Sequence, residues 1–339
     1  MSELLKLSAY FGERDRSAGR FTADTMIDIF ERRQLEASLL FRGAEGFGLK
    51  HHLQTDRLLS MSEDLPVVAV AIGTATRVEA VLDEVTERSH PGLLTIERAR
   101  LPGSSEAPSD LSGSSKLTVI LGRHQRVKGE PAYRYVTRRL HGLGLKGATV
   151  LLGVDGTVDG QRRRGRFFGS NTDVPLAVIS VGDADIITKA VGELSTALPE
   201  MVLLQESTRI LKRDGRRVSE LDRSADLDEK GIRQWNRLTV YASEQSRHEG
   251  APLYPQVLRN LREAGAIGAT VLKGVWGFHG EHEPHGDTFW SVRRRIPVVV
   301  EVIDSPSRCR EWFRIIDDLT AEAGLVTSEA VPRVDGPTG

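Results

Sequence analysis

The chain has very little cysteine and no long apolar run. Among its 339 residues Cys309 is the single cysteine, so no disulfide can form within the chain, as suits a reducing compartment. No stretch approaches the roughly 18 apolar residues that a membrane-spanning helix needs. Residues 1–6 lack the charged-then-apolar pattern of a secretion signal. We therefore expect a soluble cytoplasmic protein, with Cys309 buried as a small hydrophobe on an apolar helix face.

The chain also lacks a charge excess and a catalytic signature. Its net charge is -1, which gives no bulk attraction to nucleic acid or to an anionic membrane. It has no phosphate-binding Walker loop, no dinucleotide fingerprint and no Ser-His-Asp signature. An enzyme would need an acid–base pair that does not stand out, and an RNA-recognition module would need stacking aromatics on its sheet. We expect no enzyme and no nucleic-acid partner.

What the chain does contain is one pattern written three times. Each copy has a cation that opens an apolar run, an Arg-x-x-Gly segment, a glycine-rich segment and a proline that opens a further apolar run. The spacing from the cation to the first glycine of the glycine-rich segment is the same in all copies: Lys6 to Gly43, Lys116 to Gly153, and Arg237 to Gly274. The prolines are Pro66, Pro175 and Pro297. A repeat of about 100 residues is the size of a domain rather than of a solenoid unit.

The patterning within each copy predicts a strand, a helix, two strands, a helix and a strand. Alternating apolar runs predict first strands at residues 5–11, 117–121 and 238–242, and the prolines open strands at 66–72, 175–181 and 297–303. The order is the ferredoxin-like β-α-β-β-α-β arrangement of the α+β class. Because residues 67–72 are apolar on both faces, we expect helices to cover one face of the sheet and a sister copy to cover the other.

These patterns predict three domains: residues 1–103, 115–211 and 236–334. Residues 104–114 form a predicted flexible linker rich in Ser, Gly and Pro, and residues 212–235 a predicted exposed, charged linker. Residues 335–339 form a short tail.

The strand, the Arg-x-x-Gly segment, the glycine-rich segment and the proline-opened strand resemble, in this order, the uncharacterised PII-like family catalogued as domain of unknown function 190. Residues 264–280 resemble, more distantly, nitrogen-regulatory PII signalling proteins. The resemblance implies a trimer of such domains with small-molecule ligands in clefts between them. We expect the three copies to form one pseudotrimeric monomer; the alternative is that each copy joins copies from other chains.

The resemblance also implies a ligand-sensing regulator. The long loop after each glycine-rich segment would correspond to the T-loop with which PII proteins reach their partners. Similar proteins often accompany fluoride-exporter-type channels, so a membrane transporter or channel is the expected partner. A small anionic effector, such as an adenine nucleotide, is the expected ligand. The lysine- and glycine-rich nucleotide segment of PII proteins is absent, however: residues 90–94, 198–202 and 322–326 stand in its place.

Candidate ligand-binding residues recur in the copies. Arg16, Arg126 and Arg247 would clamp a phosphate or carboxylate, or alternatively act as structural arginines that hydrogen-bond to loop carbonyls or to an adjacent copy. The glycines would bind anions through backbone amides, or simply launch the loop: Gly43, Gly46, Gly48, Gly153, Gly156, Gly274, Gly277 and Gly280. The second-strand threonine of PII proteins matches Thr149 and Thr270, whereas copy one has Leu39.

The long loops differ between the copies. Copy two has an arginine run at residues 162–166, which would bind nucleotide phosphates or form a solvated turn. Copy three has His279, His282 and His285, whose spacing would allow zinc or copper to bind if the loop folds round the ion. These histidines motivate a second function, that of a metal-binding or metal-tolerance protein; the alternative is that they are solvated.

Overall fold

The computed structural model describes residues 4–48, 54–55, 64–89, 92–99, 113–158, 161–162, 174–199, 201–222, 227, 233–279, 284–286 and 296–334. Within these residues the chain is a mixed α/β protein with six helices and large antiparallel sheets. None of the described helices is both long and apolar enough to cross a membrane.

The first repeat begins with a long strand and ends with another. Its elements are β1 (Leu4–Gly12), β2 (Arg16–Ser17), β3 (Arg20–Phe21), α1 (Thr22–Arg32), β4 (Ala37–Arg42), β5 (Glu45–Phe47), β6 (Gln54–Thr55), β7 (Pro66–Thr74), α2 (Ala75–Arg88) and β8 (Leu93–Ala99).

The second repeat follows the same order and adds a short hairpin at its end. Its elements are β9 (Ser114–Gly122), β10 (Arg126–Val127), β11 (Glu130–Pro131), α3 (Ala132–Gly142), β12 (Gly147–Leu152), β13 (Asp155–Val158), β14 (Gln161–Arg162), β15 (Pro175–Asp183), α4 (Ala184–Ala197), β16 (Val202–Ser207), β17 (Arg209–Arg213) and β18 (Arg216–Arg217).

The third repeat has the same elements as the first. They are β19 (Gln234–Ser243), β20 (Arg247–His248), β21 (Ala251–Pro252), α5 (Leu253–Glu263), β22 (Ala269–Lys273), β23 (Trp276–His279), β24 (His285–Gly286), β25 (Pro297–Asp304), α6 (Pro306–Leu319) and β26 (Leu325–Val334). In all three repeats the predicted main strands and helices are confirmed, and the third main strand begins at the predicted proline.

Each repeat pairs its four main strands in the same antiparallel order, with the first strand between the last and the third. The orders are β8-β1-β7-β4, β16-β9-β15-β12 and β26-β19-β25-β22. A fifth strand, next to the last of these four, comes from another repeat. Strand β13 pairs with β4, β23 pairs with β12, and β5 pairs with β22. The glycine-rich segments of repeats two and three therefore pair with the sheet edge of the preceding repeat, and that of repeat one pairs with the edge of repeat three, which closes the cycle.

Strand β7, which is apolar on both faces, places its side chains in two different cores. Val67, Ala69 and Ala71 of β7 pack with helices α1 and α2 in the core of the first repeat. Val68 and Ile72 point the other way, into a cluster that contains buried side chains of all three repeats. Alternate side chains of a strand face opposite sides, so the second face of this sheet packs against side chains of the other two repeats.

The start of the predicted charged linker differs from the expectation of an exposed segment. Lys212 and Arg213 belong to strand β17, which pairs with β26 of the third repeat. Lys212 is buried, and its Nζ lies 2.8 Å from Oδ1 of Asp317 on α6. The many charged residues of this segment suggested that it is exposed. Lys212 can nevertheless be buried because the carboxylate of Asp317, on the neighbouring repeat, compensates the charge of its ammonium group. Cys309, by contrast, is buried as predicted, and burial raises the pKa of its thiol to about 12.

Candidate functional site

Two cavities lie at equivalent junctions between repeats. Cleft I, of about 270 Å³, lies between strands β12 and β15 of the second repeat and β19 and β23 of the third. Cleft II, of about 380 Å³, lies between β22 and β25 of the third repeat and β1 and β5 of the first. Volumes of this order suit small-molecule ligands. Equivalent strands line both clefts, and a hairpin that only the second repeat has adds to the lining of cleft I.

Cleft I presents cations and hydroxyl groups. Lys146 and Arg213 line it, together with Thr149, Ser180 and Tyr241. Among the described residues Arg213 has no ion pair and no side-chain hydrogen bond, although its side chain is half-buried. A guanidinium held in a cavity without a carboxylate partner suits a phosphate or carboxylate ligand, which it can bind through two parallel hydrogen bonds.

A hairpin from the segment between repeats two and three forms the rim of cleft I. Strands β17 and β18 meet at a two-residue turn in which Asp214 and Gly215 have φ angles of 49° and 76°. Such left-handed residues are typical of tight hairpins. A side chain at Gly215 would meet the carbonyl oxygen of Ala321 at 2.2 Å, so the turn rests closely on the third repeat. Asp214 Oδ1 lies 3.5 Å from Nε2 of His279, which also lines cleft I.

Cleft II has aromatic and acidic walls. Tyr10 and Trp235 line it, and so do the carboxylates Asp15, Asp64 and Glu301. The Tyr10 hydroxyl donates to Oε2 of Glu301 over 3.2 Å. Burial and the charge of Glu301 raise the pKa of Tyr10, although Arg237 acts in the opposite direction, so this hydroxyl keeps its proton. Cleft I has the cations Lys146 and Arg213 and one carboxylate, Asp214, whereas cleft II has three carboxylates and one guanidinium, that of Arg333.

The junction between repeats one and two presents apolar side chains at the equivalent positions. Leu39 stands where the other junctions have Thr149 and Thr270, and Ile120 stands where they have Tyr241 and Tyr10. Leu39 and Ile120 are both buried in the cluster shared by the three repeats. Two hydroxyl groups that line the other clefts are thus replaced by packed hydrocarbon.

A ring of six buried charges lies where the three repeats meet. Each repeat supplies a cation from its first strand and a glutamate from its last: Lys6 and Glu97, Lys116 and Glu206, and Arg237 and Glu329. Every cation contacts the glutamate of its own repeat and that of one neighbour. Lys116 Nζ, for example, lies 3.5 Å from Glu206 and 2.6 Å from Glu329. Positive and negative side chains therefore alternate around a closed ring, in which each side chain contacts two of opposite charge.

The charges of the ring hold one another ionised. Burial alone would raise the pKa of Glu97, but Arg237 and Lys6 outweigh it and hold that pKa well below its usual value. Burial would likewise lower the pKa of Lys116, but Glu206 and Glu329 raise it well above its usual value. A carboxyl with a lowered folded-state pKa stabilises the fold above its usual pKa, and that contribution fades as pH falls through the folded value. The ring therefore makes the protein more stable at neutral pH than at low pH.

The structure places the predicted arginines in short hairpins after the first strands. Arg16 and Arg126 each donate from Nη1 to a carbonyl of their own turn, that of Gly19 or Gly129, over 3.0 Å. Arg247 donates over 3.0 Å to the carbonyl of Glu244. All three are exposed, and neither cleft is lined by Arg16 or Arg247. These contacts agree with the alternative that the arginines hydrogen-bond to carbonyls of their own loops.

The predicted glycines lie where the repeats join. Gly46, Gly156 and Gly277 sit opposite Thr270, Leu39 and Thr149 in the strand pairs between repeats. A side chain at Gly277 would meet the carbonyl oxygen of Ala148 at 2.2 Å and the ring of Pro297 at 2.8 Å, and equivalent contacts surround the other two. Gly43, Gly153 and Gly274 are also crowded by backbone and proline atoms. Close strand approach thus requires glycine here; Gly48 is open and lines cleft II.

The remaining predicted residues are divided between the clefts and the loops. Thr149 lines cleft I and Thr270 lines cleft II. Gly280 and His282 lie outside the described residues, as does the side chain of His285, so the predicted metal site falls largely outside them. Within the described part of the chain no group of three His, Cys, Asp or Glu residues is placed to hold a metal ion. Arg162 binds Asp155 and reaches Asp28 on α1 of the first repeat, both within 2.9 Å.

Sequence reasoning missed the ring and most of the cleft residues. The glutamates Glu97, Glu206 and Glu329 recur at one position of the last strands, opposite the recurring cations, and this recurrence is a signal that the sequence does carry. Arg213 lies in a charged segment that the sequence assigned to a linker, so nothing marked it as a cleft residue. Trp235 and Glu301 each occur in one repeat only. No repeated pattern could have identified them.

Comparison with known proteins identifies the repeats. The model of the DUF190 family, described as an uncharacterized ACR, matches residues 4–101, 114–210 and 235–333. These three matches cover most of the chain. The chain therefore belongs to the DUF190 family and contains three tandem copies of its domain.

Individual relatives match one copy at a time. A UPF0166 protein from Aquifex aeolicus is 32% identical over 94 residues, which are 28% of this chain and 88% of that protein. A UPF0166 protein from Methanocaldococcus jannaschii is 26% identical over 89 residues, or 26% of this chain and 82% of that protein. Each relative is thus similar to about one quarter of this chain.

Alignments to solved structures are weak. An unknown protein from Galdieria sulphuraria is 12% identical, with 66% of this chain and 99% of that chain covered and a TM-score of 0.18. A mutant chlorite dismutase from Candidatus Nitrospira defluvii is 9% identical, with 60% and 92% covered and a TM-score of 0.18. At these TM-scores neither alignment bears on the fold or the function of this chain.

Proposed function

We propose that this member of the DUF190 family is a PII-like ligand-sensing regulatory protein whose three ferredoxin-like repeats form a single-chain pseudotrimer. The closed ring of Lys6, Lys116 and Arg237 with three glutamates supports the pseudotrimer, because each cation of the ring also pairs with the glutamate of another repeat. The cyclic pairing of β13, β23 and β5 with neighbouring repeats supports it independently.

The effector of this regulator is a small anion that binds in cleft I. The observation that carries this proposal is Arg213, a half-buried guanidinium that lines the cavity without a carboxylate partner among the described residues. Lys146 adds a second cation, and Thr149 and Ser180 offer hydroxyl groups to a phosphate or a ribose. An adenine nucleotide is the leading candidate on the resemblance to PII proteins.

The signal would pass through the loops that follow the glycine-rich segments. These loops start at the strands that join the repeats, directly beside the clefts, so a ligand at the junction can influence their conformation. The partner they would contact is a membrane transporter or a fluoride-exporter-type channel, as the family resemblance suggests.

Thermal unfolding with a panel of anions tests the effector site. The panel holds adenine and guanine nucleotides, cyclic nucleotides and inorganic phosphate, and a ligand that binds the native state stabilises it by about 2.7 kcal/mol at a hundred times its Kd. We expect at least one nucleotide to raise the Tm of the protein. Arg213→Gln should abolish that rise.

Arg216→Gln is the matched control, because Arg216 is exposed on the same hairpin, directly across from Arg213, and does not line the cavity. It should leave the rise intact. A panel in which no anion shifts the Tm, or a shift that Arg213→Gln leaves unchanged, would refute cleft I as an anion site.

A further inference from the structure

Cleft II has the wrong charge for the effector proposed in cleft I. Its described wall holds Asp15, Asp64 and Glu301 against the single guanidinium of Arg333. Asp15 and Asp64 have local tasks, since Asp15 accepts the amide of Gly12 over 2.8 Å and Asp64 accepts the amide of Arg14 over 2.6 Å. Glu301 lies within β25 and accepts no such backbone hydrogen bond from the described residues. These local contacts therefore do not account for its charge.

Glu301 stands at a position that the other repeats fill with hydrocarbon. Its strand position is that of Val70 on β7 and Ile179 on β15, which pack against the apolar cluster shared by the repeats. A carboxylate at a half-buried position costs folding free energy unless it is paired. The one hydrogen bond that Glu301 makes with a described residue comes from the Tyr10 hydroxyl. The ring cation Arg237 interacts electrostatically with Glu301, but its hydrogen bonds go to Glu97 and Glu329.

The aromatic walls of cleft II suit a cation as well. The guanidinium carbon of Arg333 lies 4.5 Å from the centre of the Trp235 ring, so the face of this indole already attracts a positive group. Tyr10 and Phe47 extend the aromatic lining towards Glu301. An aromatic wall beside a carboxylate is an arrangement that recognises a positively charged organic group rather than an anion.

We propose that cleft II binds a small organic cation, an amine or guanidinium compound, with its charge beside Glu301 and its apolar part against Tyr10 and Trp235. The cavity of about 380 Å³ accommodates a molecule of that kind. Its binding does not depend on an anion in cleft I. Three identical subunits could not divide their clefts in this way, whereas three repeats in one chain can diverge independently.

Calorimetric titration of the full chain tests the proposal. The probes are agmatine, arginine, putrescine, spermidine and choline, with a neutral polyol as the uncharged comparison. The chain has four tryptophans, so the second readout is the change in fluorescence that is lost in Trp235→Phe. We expect at least one cation to bind and the polyol not to bind. Glu301→Gln should weaken the cation at least about tenfold, the loss that one hydrogen bond to a charged group would cause.

Glu311→Gln removes one carboxylate from the exposed face of α6, where Glu311 pairs with Arg308, and should leave cation binding unchanged. Glu301→Val, which copies the first repeat, should also abolish binding while keeping or raising the Tm, so a loss of binding cannot be ascribed to unfolding. Absence of binding by every cation, or equal weakening in the Glu301→Gln and Glu311→Gln variants, would overturn the proposal. Anion binding in cleft I should persist in Glu301→Gln, so the two sites fail separately.

Discussion

The three repeats contribute alike to the ring but differently to the clefts. In the ring, each repeat supplies one cation and one glutamate at the same two strand positions, and each cation bridges two repeats. At the junctions, cleft I offers Arg213 and Lys146, cleft II offers Glu301 and Trp235, and the third junction offers Leu39 and Ile120. Residues that join the repeats are constrained in all three copies, because a missing ring member leaves buried charges unpaired. Residues in a cleft affect one junction only and are free to differ.

The largest expected effect comes from breaking the ring. Lys116→Met leaves Glu206 and Glu329 each short of a partner in the buried ring, and removal of one member of a buried ion pair costs about 3–5 kcal/mol of stability. Urea unfolding at pH 7 measures the loss.

Arg138→Met is the control, because Arg138 pairs with Glu130 at the surface, where a pair contributes at most about 1 kcal/mol. If Lys116→Met costs no more than Arg138→Met, the ring does not hold the repeats together and the contrast between ring and clefts fails.

Local pattern was enough to predict the strands and helices, but not the ring or the clefts. A continuous apolar run predicted β7, and the proline at its first residue predicted where the strand starts. The pairing of Lys6 with Glu206 depends on how two distant repeats dock, which periodicity does not encode. Arg213 was assigned to a linker since its neighbours are charged, yet β17 pairs with β26 and carries it into cleft I. Local sequence thus predicts each repeat, whereas contacts between repeats need their geometry.

An intermediate effect is expected where the repeats exchange strands. Gly277→Ala places a methyl group 2.2 Å from the carbonyl oxygen of Ala148, and overpacking of this kind costs about 1–3 kcal/mol. Gly156→Ala should cost a similar amount at the junction of repeats one and two, where the added atom meets the carbonyl oxygen of Ser38 at 2.2 Å.

Gly192→Ala is the opposite case, because Gly192 lies within α4 with open space around it, and alanine there should stabilise the helix by about 0.5–1 kcal/mol. The free energies of urea unfolding of the three variants show whether an added methyl group destabilises the protein at Gly277 and Gly156 but not at Gly192. If Gly277→Ala leaves the free energy of unfolding unchanged, these glycines are not needed for the strand pairing between repeats. Anion binding through their backbone amides, the other role considered for them, would then be favoured.

The smallest effect on stability is expected in cleft I itself. Arg213→Gln removes a charge that has no carboxylate partner among the described residues, so the free energy of unfolding should change by about 0.5 kcal/mol or less. Arg213 and Lys116 are both cations between repeats, and the same urea experiment on both separates a ligand-facing charge from an assembling one. A loss of several kcal/mol in Arg213→Gln would show that this guanidinium supports the fold, and the case for an anion in cleft I would then lose its main residue. A near-zero change, together with loss of the ligand-induced rise in Tm, is the result that a binding residue must give, because a ligand contact contributes nothing to the stability of the empty protein.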